Sequence, residues 1–333
     1  MNSRIAAMDR PVITRFAPSP TGPLHLGHAY AAKVAHDLAS QSGGKMIFRI
    51  DDIDHTRCRD IYTAQIFKDL EWLRLNWYGS ASDAQSGCNA PHQSQRIPAY
   101  QAALKTLQDK GLVYPCYISR RELNELLSAP HAPPASQIDH GTPIAAPASV
   151  IVNTDQLLSQ KEQARRHAAG QGAAWRLRMG AAIDMALGKN VGRRNDGSEN
   201  GDDGETLSWF DHLAGRQIAN PAQFGDVVIA RADIAISYHL SVVIDDALDG
   251  VTLVTRGNDL AASTHLHRLL QALFALSVPD YCHHALVLDQ AGKRLAKRDS
   301  AHSLEIMRQI HDDPSSLFAK MPPMPIVNRH GNT

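Results

Sequence analysis

Residues 15–28 read RFAPSPTGPLHLGH, and the rest of the chain can be interpreted around this stretch. The stretch follows a short apolar segment that predicts a strand, passes through a loop rich in Pro and Gly, and leads into a predicted helix. One face of that helix carries apolar residues spaced by four: Leu26, Tyr30, Val34 and Leu38. Gly43 is placed to end the helix. A strand–loop–helix unit of this kind directs backbone N–H groups and the positive end of the helix dipole toward an anion.

Two histidines flank a glycine at the predicted first turn of this helix. Gly27 adds no side chain, so a flat ligand could lie against the backbone between the imidazoles of His25 and His28. That arrangement suits an adenine nucleotide and its α-phosphate. A loop that only caps a helix and carries two surface histidines is the alternative interpretation.

A second predicted strand, residues 45–50, ends in an acidic run that begins at Asp51. The alternation of strands and helices predicts an α/β fold with a parallel sheet, whose ligands bind beyond the carboxyl ends of the strands. Arg15 and Asp51 both lie just after such strands, so they are expected to converge on one small ligand. Helix capping and solvation are the alternative roles for Asp51.

The second half of the chain shows further strand and helix patterns. Strands are predicted at residues 226–230, 234–244, 251–255 and 285–288. A long helix is predicted after residue 259, and His265 and His267 on it are interpreted as structural or exposed residues rather than ligands.

Four segments resemble, in the same order, the signatures of class I aminoacyl-tRNA synthetases of the glutamate-specific branch. They are residues 15–28, 49–54 (RIDDID), 256–260 (RGNDL) and 292–298 (GKRLAKR). The first resembles the HIGH signature and the last the KMSKS-like segment. The resemblance implies a Rossmann-type doubly wound parallel sheet with an inserted subdomain and a short helical C-terminal segment. It also implies that ATP activates L-glutamate to glutamyl-adenylate.

The expected organisation places an insert between two halves of the nucleotide-binding core. Within the insert, residues 128–149 are rich in Ala, Pro, His and Ser, cannot bury much apolar surface, and are expected to form a mobile loop. In the resembled family the matching region meets the RNA end. The expected boundaries are 11–119 for the first half of the core, 120–222 for the insert, 223–299 for the second half and 300–333 for a helical tail.

The resemblance assigns the phosphate chemistry to the first and last of the four segments. His25 and His28 would bind the α-phosphate, and Lys297 would hold the β- and γ-phosphates and the departing pyrophosphate as a point charge. These three are the expected catalytic residues. Further ATP contacts are expected from Gly27, Arg294 and Leu295. Mg²⁺ is expected to arrive with ATP.

The same resemblance assigns the amino-acid site. Two arginines and one acid fit a substrate with two carboxylates and one amine. The expected glutamate-binding residues are Arg15, Phe16, Ala17, Pro18, Ser19, Asp51, Tyr238 and Arg256, with Tyr238 on a strand. Asp51 stands where the family has a glutamate, and Ala296 replaces the serine of the KMSKS-like segment. Slower chemistry is expected from these two departures.

Members of the resembled family often bind zinc through a Cys-x-Cys pair with a later Tyr and Cys. Cys116 matches the first position, but Ile118 occupies the second, and no Tyr-x₃-Cys occurs between there and residue 150. Because a lone thiolate cannot supply the four ligands of a structural zinc, no zinc is expected.

Composition limits the partners and the compartment. The 333 residues carry 34 basic and 34 acidic side chains, so an RNA-binding surface would need its basic residues clustered on one face. No apolar run is long enough for a membrane span, and residues 1–10 lack the apolar core of a secretory signal. The four scattered cysteines are expected to be reduced thiols. A cytoplasmic monomer without membrane contact is expected.

The group that accepts the glutamate is inferred from the length of the segment after residue 297, which is expected to be too short for an anticodon-binding domain. The chain therefore resembles the shortened members of the branch, which attach glutamate to queuosine in the anticodon loop of tRNA(Asp). Three alternatives stay open: a truncated glutamyl-tRNA synthetase that charges a tRNA 3′ end, a cofactor nucleotidyltransferase, and a catalytically weak regulatory paralogue.

Overall fold

The computed structural model describes residues 11–83, 85, 87, 90–119, 122, 157–188, 206–231, 236–288, 303–319 and 321–325. The expected mobile loop at 128–149 and the expected ATP contacts Arg294, Leu295 and Lys297 lie outside the described residues.

Strands and helices alternate along much of the described chain. The strands are β1 (Ile13–Phe16), β2 (Lys45–Phe48), β3 (Val113–Cys116), β4 (Ala174–Leu177), β5 (Ser208–Asp211), β6 (Gly215–Ile218), β7 (Val228–Ala230), β8 (Leu253–Gly257) and β9 (Asp280–His284). The helices are α1 (Leu26–Gln41), α2 (Asp60–Trp72), α3 (Ile97–Asp109), α4 (Gln160–Ala168), α5 (Met179–Ala186), α6 (Tyr238–Leu248), α7 (Ser263–Leu273), α8 (Leu304–Ile310) and α9 (Ser315–Phe318). No helix in the described ranges is long and apolar enough to cross a membrane.

The first unit is the strand–loop–helix predicted from residues 15–28. Strand β1 pairs in parallel with β2, and α1 connects them. The buried face of α1 is rich in alanine, which lets the helix lie close to the sheet. Gly44 joins α1 to β2, and a Cβ there would lie 1.9 Å from the carbonyl oxygen of Val12. This close approach of two backbones explains the glycine.

Strands β8, β9 and β5 run parallel to one another, and β6 adds an antiparallel edge in the order β6-β5-β9-β8. Strand β1 lies beside β8, because the Thr252 N–H donates to the Ile13 carbonyl at 2.9 Å and the Ile13 N–H donates to the Thr252 hydroxyl at 2.9 Å. The predicted α/β fold with parallel strands is confirmed. The carboxyl ends of β1 and β8 are consequently neighbours.

A separate antiparallel sheet has the order β3-β4-β7. One of its strands precedes residue 120, one lies between residues 120 and 222, and one comes after residue 222. Its buried side chains, such as Leu177 and Ile229, join the core formed by α3, α6 and α7. The expected domain boundaries stay a prediction.

Two predicted strands are wrong. Residues 236–244 form the end of a loop and most of α6, because Leu240 and Val243 pack into the core at helical spacing while Asp245 and Asp246 bond to buried arginines. Such pairing of buried carboxylates is a tertiary effect that alternation in the sequence does not report. The last strand lies at Asp280–His284 instead of residues 285–288. Its polar residues His283 and His284 make hydrogen bonds within the protein, and their polar character hides the strand from a hydrophobicity pattern.

The described tail packs against the first unit. The Leu304 N–H donates to the carbonyl of Leu24 at 2.8 Å, and Ser303 forms an isolated bridge with His25. The side chain of Arg308 on α8 lies 3.3 Å from a carboxylate oxygen of Asp69 on α2. Helix α8 lies within the predicted helical tail, and it starts next to the histidine pair.

Candidate active site

A cavity of about 430 Å³ opens where β1, β8 and the N-terminus of α1 meet. Every expected site residue within the described ranges lines this cavity: Arg15, Phe16, Ala17, Pro18, Ser19, His25, Gly27, His28, Asp51, Tyr238 and Arg256. Residues 289–302, which contain the expected ATP contacts, lie outside the described residues. Described residues near both ends of this segment lie at the site: Val287 lines the cavity, and Ser303 forms a bridge with His25.

The two histidines cap helix α1 reciprocally. Nδ1 of His25 accepts a hydrogen bond from the Gly27 N–H at 3.1 Å, and Nδ1 of His28 accepts one from the His25 N–H at 3.2 Å. The two rings lie 3.9 Å apart between centroids. A capping box of this kind normally uses Ser or Thr with Glu or Gln, so two imidazoles here place nitrogen-bearing rings at the positive end of the helix.

The structure shows a role of Gly27 in placing the His25 ring, and its expected contact with ATP stays a prediction. A Cβ at this position would lie 2.9 Å from Cε1 and 3.1 Å from Nδ1 of His25. The space that the missing side chain leaves is therefore occupied by the His25 ring. Gly27 allows this ring to fold back onto the helix terminus.

The loop after β1 is tied to the RIDDID segment by its backbone. The Arg49 N–H donates to the Phe16 carbonyl and the Asp51 N–H donates to the Pro18 carbonyl, both at 3.1 Å. Phe16 is buried and its ring stacks on Phe48 with centroids 6.3 Å apart. Backbone hydrogen bonds therefore hold together the two sequence segments that are expected to share a ligand.

Arg49 is fully buried and organises a cluster of charges behind the cavity. Its Nε donates to Asp51 at 2.8 Å, and its Nη1 donates to Asp246 at 3.1 Å and to Asp249 at 2.8 Å. The members of this buried charge cluster are Arg15, Arg49, Arg96, Asp51, Asp245, Asp246 and Asp249.

The buried charge cluster holds three guanidinium groups and four carboxylates, one negative charge in excess. Asp51 is the carboxylate of this cluster that also lines the cavity. Burial raises the pKa of Asp51 to about 6, Arg49 opposes this rise, and the nearby carboxylates of Asp245 and Asp246 add to it. A carboxylate in a cluster with excess negative charge favours a cation at this point of the cavity.

Arg15 is already ion-paired in the structure. Its Nε donates to both carboxylate oxygens of Asp246 at 3.2 Å, and its Nη1 donates to the Thr255 carbonyl at 2.8 Å. Its Nη2 makes no hydrogen bond within the described part of the chain. A substrate carboxylate would meet this one remaining nitrogen rather than an open two-pronged fork.

Arg256 has a different environment. It is 5% exposed, and its guanidinium donates from Nε to Nε2 of His283 at 3.1 Å, from Nη1 to Nδ1 of His267 at 3.2 Å, and from Nη2 to the Thr264 hydroxyl. Among the residues that the structure describes, no carboxylate lies within ion-pair distance of it. A buried cation without an anionic partner is costly unless a ligand supplies the anion.

Tyr238 lies on the rim of the cavity, as the first residue of α6 and not on a strand. Its side chain is 43% exposed. It also lines a larger neighbouring cavity of about 960 Å³, which shares Ser19 and Asp51 with the first cavity. The neighbouring cavity extends to the antiparallel sheet and carries three arginines: Arg57, Arg176 and Arg231.

Sequence reasoning missed several members of the site. Arg49 carried a usable signal, because an arginine near the end of the apolar strand KMIFRI demands a buried partner. Asp246 follows the segment 234–244, which is predicted as a strand but folds as a helix from residue 238 on, and His283 lies on a strand that the hydrophobicity pattern does not predict. His267 is predicted to be structural or exposed, and the structure makes it structural: it is 3% exposed and accepts a hydrogen bond from Arg256.

Two residues, Cys116 and Ile118, stand where the resembled family has its Cys-x-Cys zinc ligands, and their surroundings are apolar. Cys116 and Ile118 are buried and pack with Tyr114 against Leu158. A thiol and an isoleucine do not make a zinc ligand pair, so the residues present do not fit the metal. The expectation of no bound zinc stays a prediction.

Comparison with known proteins identifies the class. The family model for the catalytic domain of class I tRNA synthetases (E and Q) matches residues 11–190 and 200–324. The chain belongs to this family of ligase-type enzymes, and it has the class I catalytic fold with the ATP use that the family implies.

Within the family, the chain is similar to proteins of two names. It is 41% identical to a glutamyl-Q tRNA(Asp) synthetase of Rhodobacter capsulatus, over 92% of this chain and 98% of that protein. It is 33% identical to a glutamate–tRNA ligase of a Synechococcus strain, over 92% of this chain and 55% of that protein. A crystal structure of a glutamate tRNA ligase from Elizabethkingia meningosepticum shares the fold, with a TM-score of 0.62 and 24% identity over 88% of this chain and 53% of that one. The chain thus spans about half the length of the glutamate–tRNA ligases that it matches.

Proposed function

We propose that this protein activates L-glutamate with ATP and transfers it to queuosine in the anticodon loop of tRNA(Asp). The observation that carries the first half is the distribution of charge around one cavity. The buried charge cluster has one negative charge in excess and presents Asp51 to the cavity, and Arg256 is a buried cation with no carboxylate partner among the described residues. An amino acid with a second carboxylate supplies the complementary charges.

In this arrangement the glutamate ammonium lies against Asp51 and one carboxylate against Arg256. The other carboxylate then faces the N-terminus of α1 and the histidines His25 and His28. One oxygen of that carboxylate attacks the α-phosphorus of ATP, the bond to the β-phosphate oxygen breaks, and pyrophosphate leaves. The chain provides positioning and charge stabilisation for this step and no covalent chemistry.

Arg294, Leu295 and Lys297 remain proposed contacts of ATP, with Lys297 on the β- and γ-phosphates. Described residues near both ends of their segment lie at the cavity, which supports this assignment. Mg²⁺ would enter bound to the phosphates of ATP and would neutralise part of their charge.

For the second half we propose the neighbouring cavity of about 960 Å³ as the entrance for the acceptor nucleoside. It shares Asp51 and Tyr238 with the glutamate site, so an acceptor hydroxyl in it would reach the activated carbonyl carbon. That hydroxyl attacks the carbonyl carbon, loses its proton, and displaces AMP. The similarity to a relative that is named for this substrate, over 98% of that relative's length, supports queuosine as the acceptor.

The deciding experiment uses tRNA(Asp) that lacks its 3′-terminal adenosine, prepared with and without queuosine. Transfer of labelled glutamate to the queuosine-bearing form only, with the label in the anticodon fragment after nuclease digestion, is the expected result. Intact tRNA of other specificities is tested in parallel. Label at the terminal adenosine of an intact tRNA would instead favour a glutamyl-tRNA synthetase, the class of the Synechococcus relative.

Activation is tested separately by glutamate-dependent exchange of pyrophosphate into ATP. Pyrophosphate exchange without glutamate transfer to any tRNA would refute queuosine as the acceptor but would support the activation of glutamate. Loss of both would favour the regulatory paralogue, to which Asp51 and Ala296 point.

A further inference from the structure

The hydrogen bonds around Arg256 have a defined direction. A guanidinium has donors only, so Nε2 of His283 and Nδ1 of His267 must both be acceptors. Each ring then carries its proton on the other nitrogen. Nδ1–H of His283 donates to Asp211, and Nε2–H of His267 donates to Nδ1 of His239 at 3.1 Å.

This direction requires neutral imidazoles, and their surroundings keep them neutral. Burial and then the charge of Arg256 hold the pKa of His267 well below its usual range, and the same two causes lower the pKa of His239 to about 4. Burial also lowers the pKa of His283, although the hydrogen bond to Asp211 opposes this. The charge of Arg15 further lowers the pKa of His267 and of His283. Thr264, Tyr238 and Tyr281 also face the rings and are uncharged at neutral pH.

The two arginines of the site are therefore held in opposite ways. Arg15 contacts the carboxylate of Asp246 directly and is locally neutralised. Arg256 is held by two imidazoles and a hydroxyl, and Asp211 is separated from it by the ring of His283. Asp211 is itself satisfied by the backbone N–H groups of Leu213 and Ala214 at 2.8 and 3.2 Å.

We propose that His267 and His283 are positioning residues that set the selectivity for glutamate: as neutral acceptors they aim Arg256 at the cavity and leave its charge for the substrate's side-chain carboxylate. This rests on the proposed activation of glutamate. The α-carboxylate must attack phosphorus, and a full buried cation held against it would weaken it as a nucleophile. The side-chain carboxylate does not react, so Arg256 can bind it tightly and discriminate against the uncharged amide of glutamine.

The sharpest test compares His267→Asn with His267→Asp in the full-length protein. Asn can place an oxygen near the position of Nδ1, and Asp has the same shape with a negative charge. We expect H267D to raise the KM for glutamate in pyrophosphate exchange at least about tenfold over H267N and to lower the glutamate-to-glutamine ratio of kcat/KM by a similar factor. A merely structural role predicts the same values for both variants.

A second pair of variants tests whether the hydrogen-bond acceptor for Arg256 must lie at the position of Nε2 of His283. His283→Gln keeps an acceptor near Nε2 for Arg256 and gives up the donor to Asp211, whereas His283→Asn does the reverse. We expect H283Q to keep the higher selectivity for glutamate over glutamine. Equal selectivity of H283Q and H283N would count against the proposal, as would equal behaviour of the two His267 variants.

The control pair is His265→Asn and His265→Asp on the same helix. Two residues along a helix turn the side chain by about 200°, so His265→Asp adds the same charge on another face and His265→Asn is its uncharged match. We expect them to have the same KM for glutamate, and thermal melting of all six variants reports whether each one folds. If the unmodified protein shows no glutamate-dependent exchange, the proposed function itself fails, which is a different result from exchange with unchanged selectivity.

Discussion

Asp51 makes the affinity for the amino acid dependent on pH in a calculable way. The carboxylate that would receive the substrate ammonium has a pKa of about 6, because it is buried beside Asp245 and Asp246 and only partly relieved by Arg49. Protonated Asp51 has no charge to offer. The raised pKa means that the charged, binding-competent form is present above pH 6 and is lost as the pH falls below it.

The magnitude can be worked out from the ionised fraction. About nine molecules in ten carry a charged Asp51 at pH 7 and about one in ten at pH 5, so glutamate should bind about tenfold more weakly at pH 5. The free side-chain carboxyl of glutamate has a pKa of about 4.3, so it stays mostly charged between pH 5 and pH 7. The Asp51→Asn variant should bind glutamate weakly at both pH values, with no change between them.

The assay is the KM for glutamate in pyrophosphate exchange, measured from pH 5 to pH 8 for the unmodified protein and D51N. Asp51→Glu, which restores the residue expected in the resembled family, serves as the matched variant and should keep a pH dependence. A KM that stays constant between pH 5 and pH 7 in the unmodified protein would refute the reasoning. The same slope in D51N would refute it equally, because the titrating group would then lie elsewhere.

Three other substitutions probe the scaffold of the site. Replacing the buried Arg49 with Met leaves several buried carboxylates without their cation, so the free energy of unfolding measured in urea titrations should fall by about 3–5 kcal/mol. The control Arg57→Met, whose side chain is 71% exposed, should lower it by less than about 1 kcal/mol. Gly27→Ala forces the His25 ring away from the helix terminus, so the KM for ATP should rise several-fold while the melting temperature changes little; an unchanged KM would contradict this. Arg308→Met removes the cation that opposes the burial of Asp69, whose pKa is about 6, so the loss of stability should be larger at pH 8 than at pH 5; equal losses would show that Asp69 is not the responding group.

The local signals in the chain were sufficient for much of the site. The spacing in residues 15–28 predicts the strand, the loop and helix α1, and these elements are present at the predicted places. The pattern also brings Arg15 and Asp51 to the carboxyl ends of adjacent parallel strands, where both line one cavity. Such predictions succeed because helix periodicity and strand order are properties of short segments.

The failures arise where buried polar residues decide the structure. The alternating pattern of residues 234–244 predicts a strand, but the segment forms most of α6, and Asp245 and Asp246 on that helix make ion pairs with Arg49. The strand at Asp280–His284 contains two histidines that make their hydrogen bonds within the protein. A hydropathy pattern assigns such residues to the surface, because it cannot include a partner that lies far away in sequence.

The sequence by itself therefore determined the α/β class, the strand–loop–helix at the histidines and the residue types that converge on the cavity. Only the tertiary structure decided how their charges are shared: Arg15 is neutralised by Asp246, whereas Arg256 is held by His267 and His283. The physical reason is that the state of a charge depends on burial and on the groups within a few ångströms of it. Those groups come from strands and helices that are up to 240 positions apart in this chain.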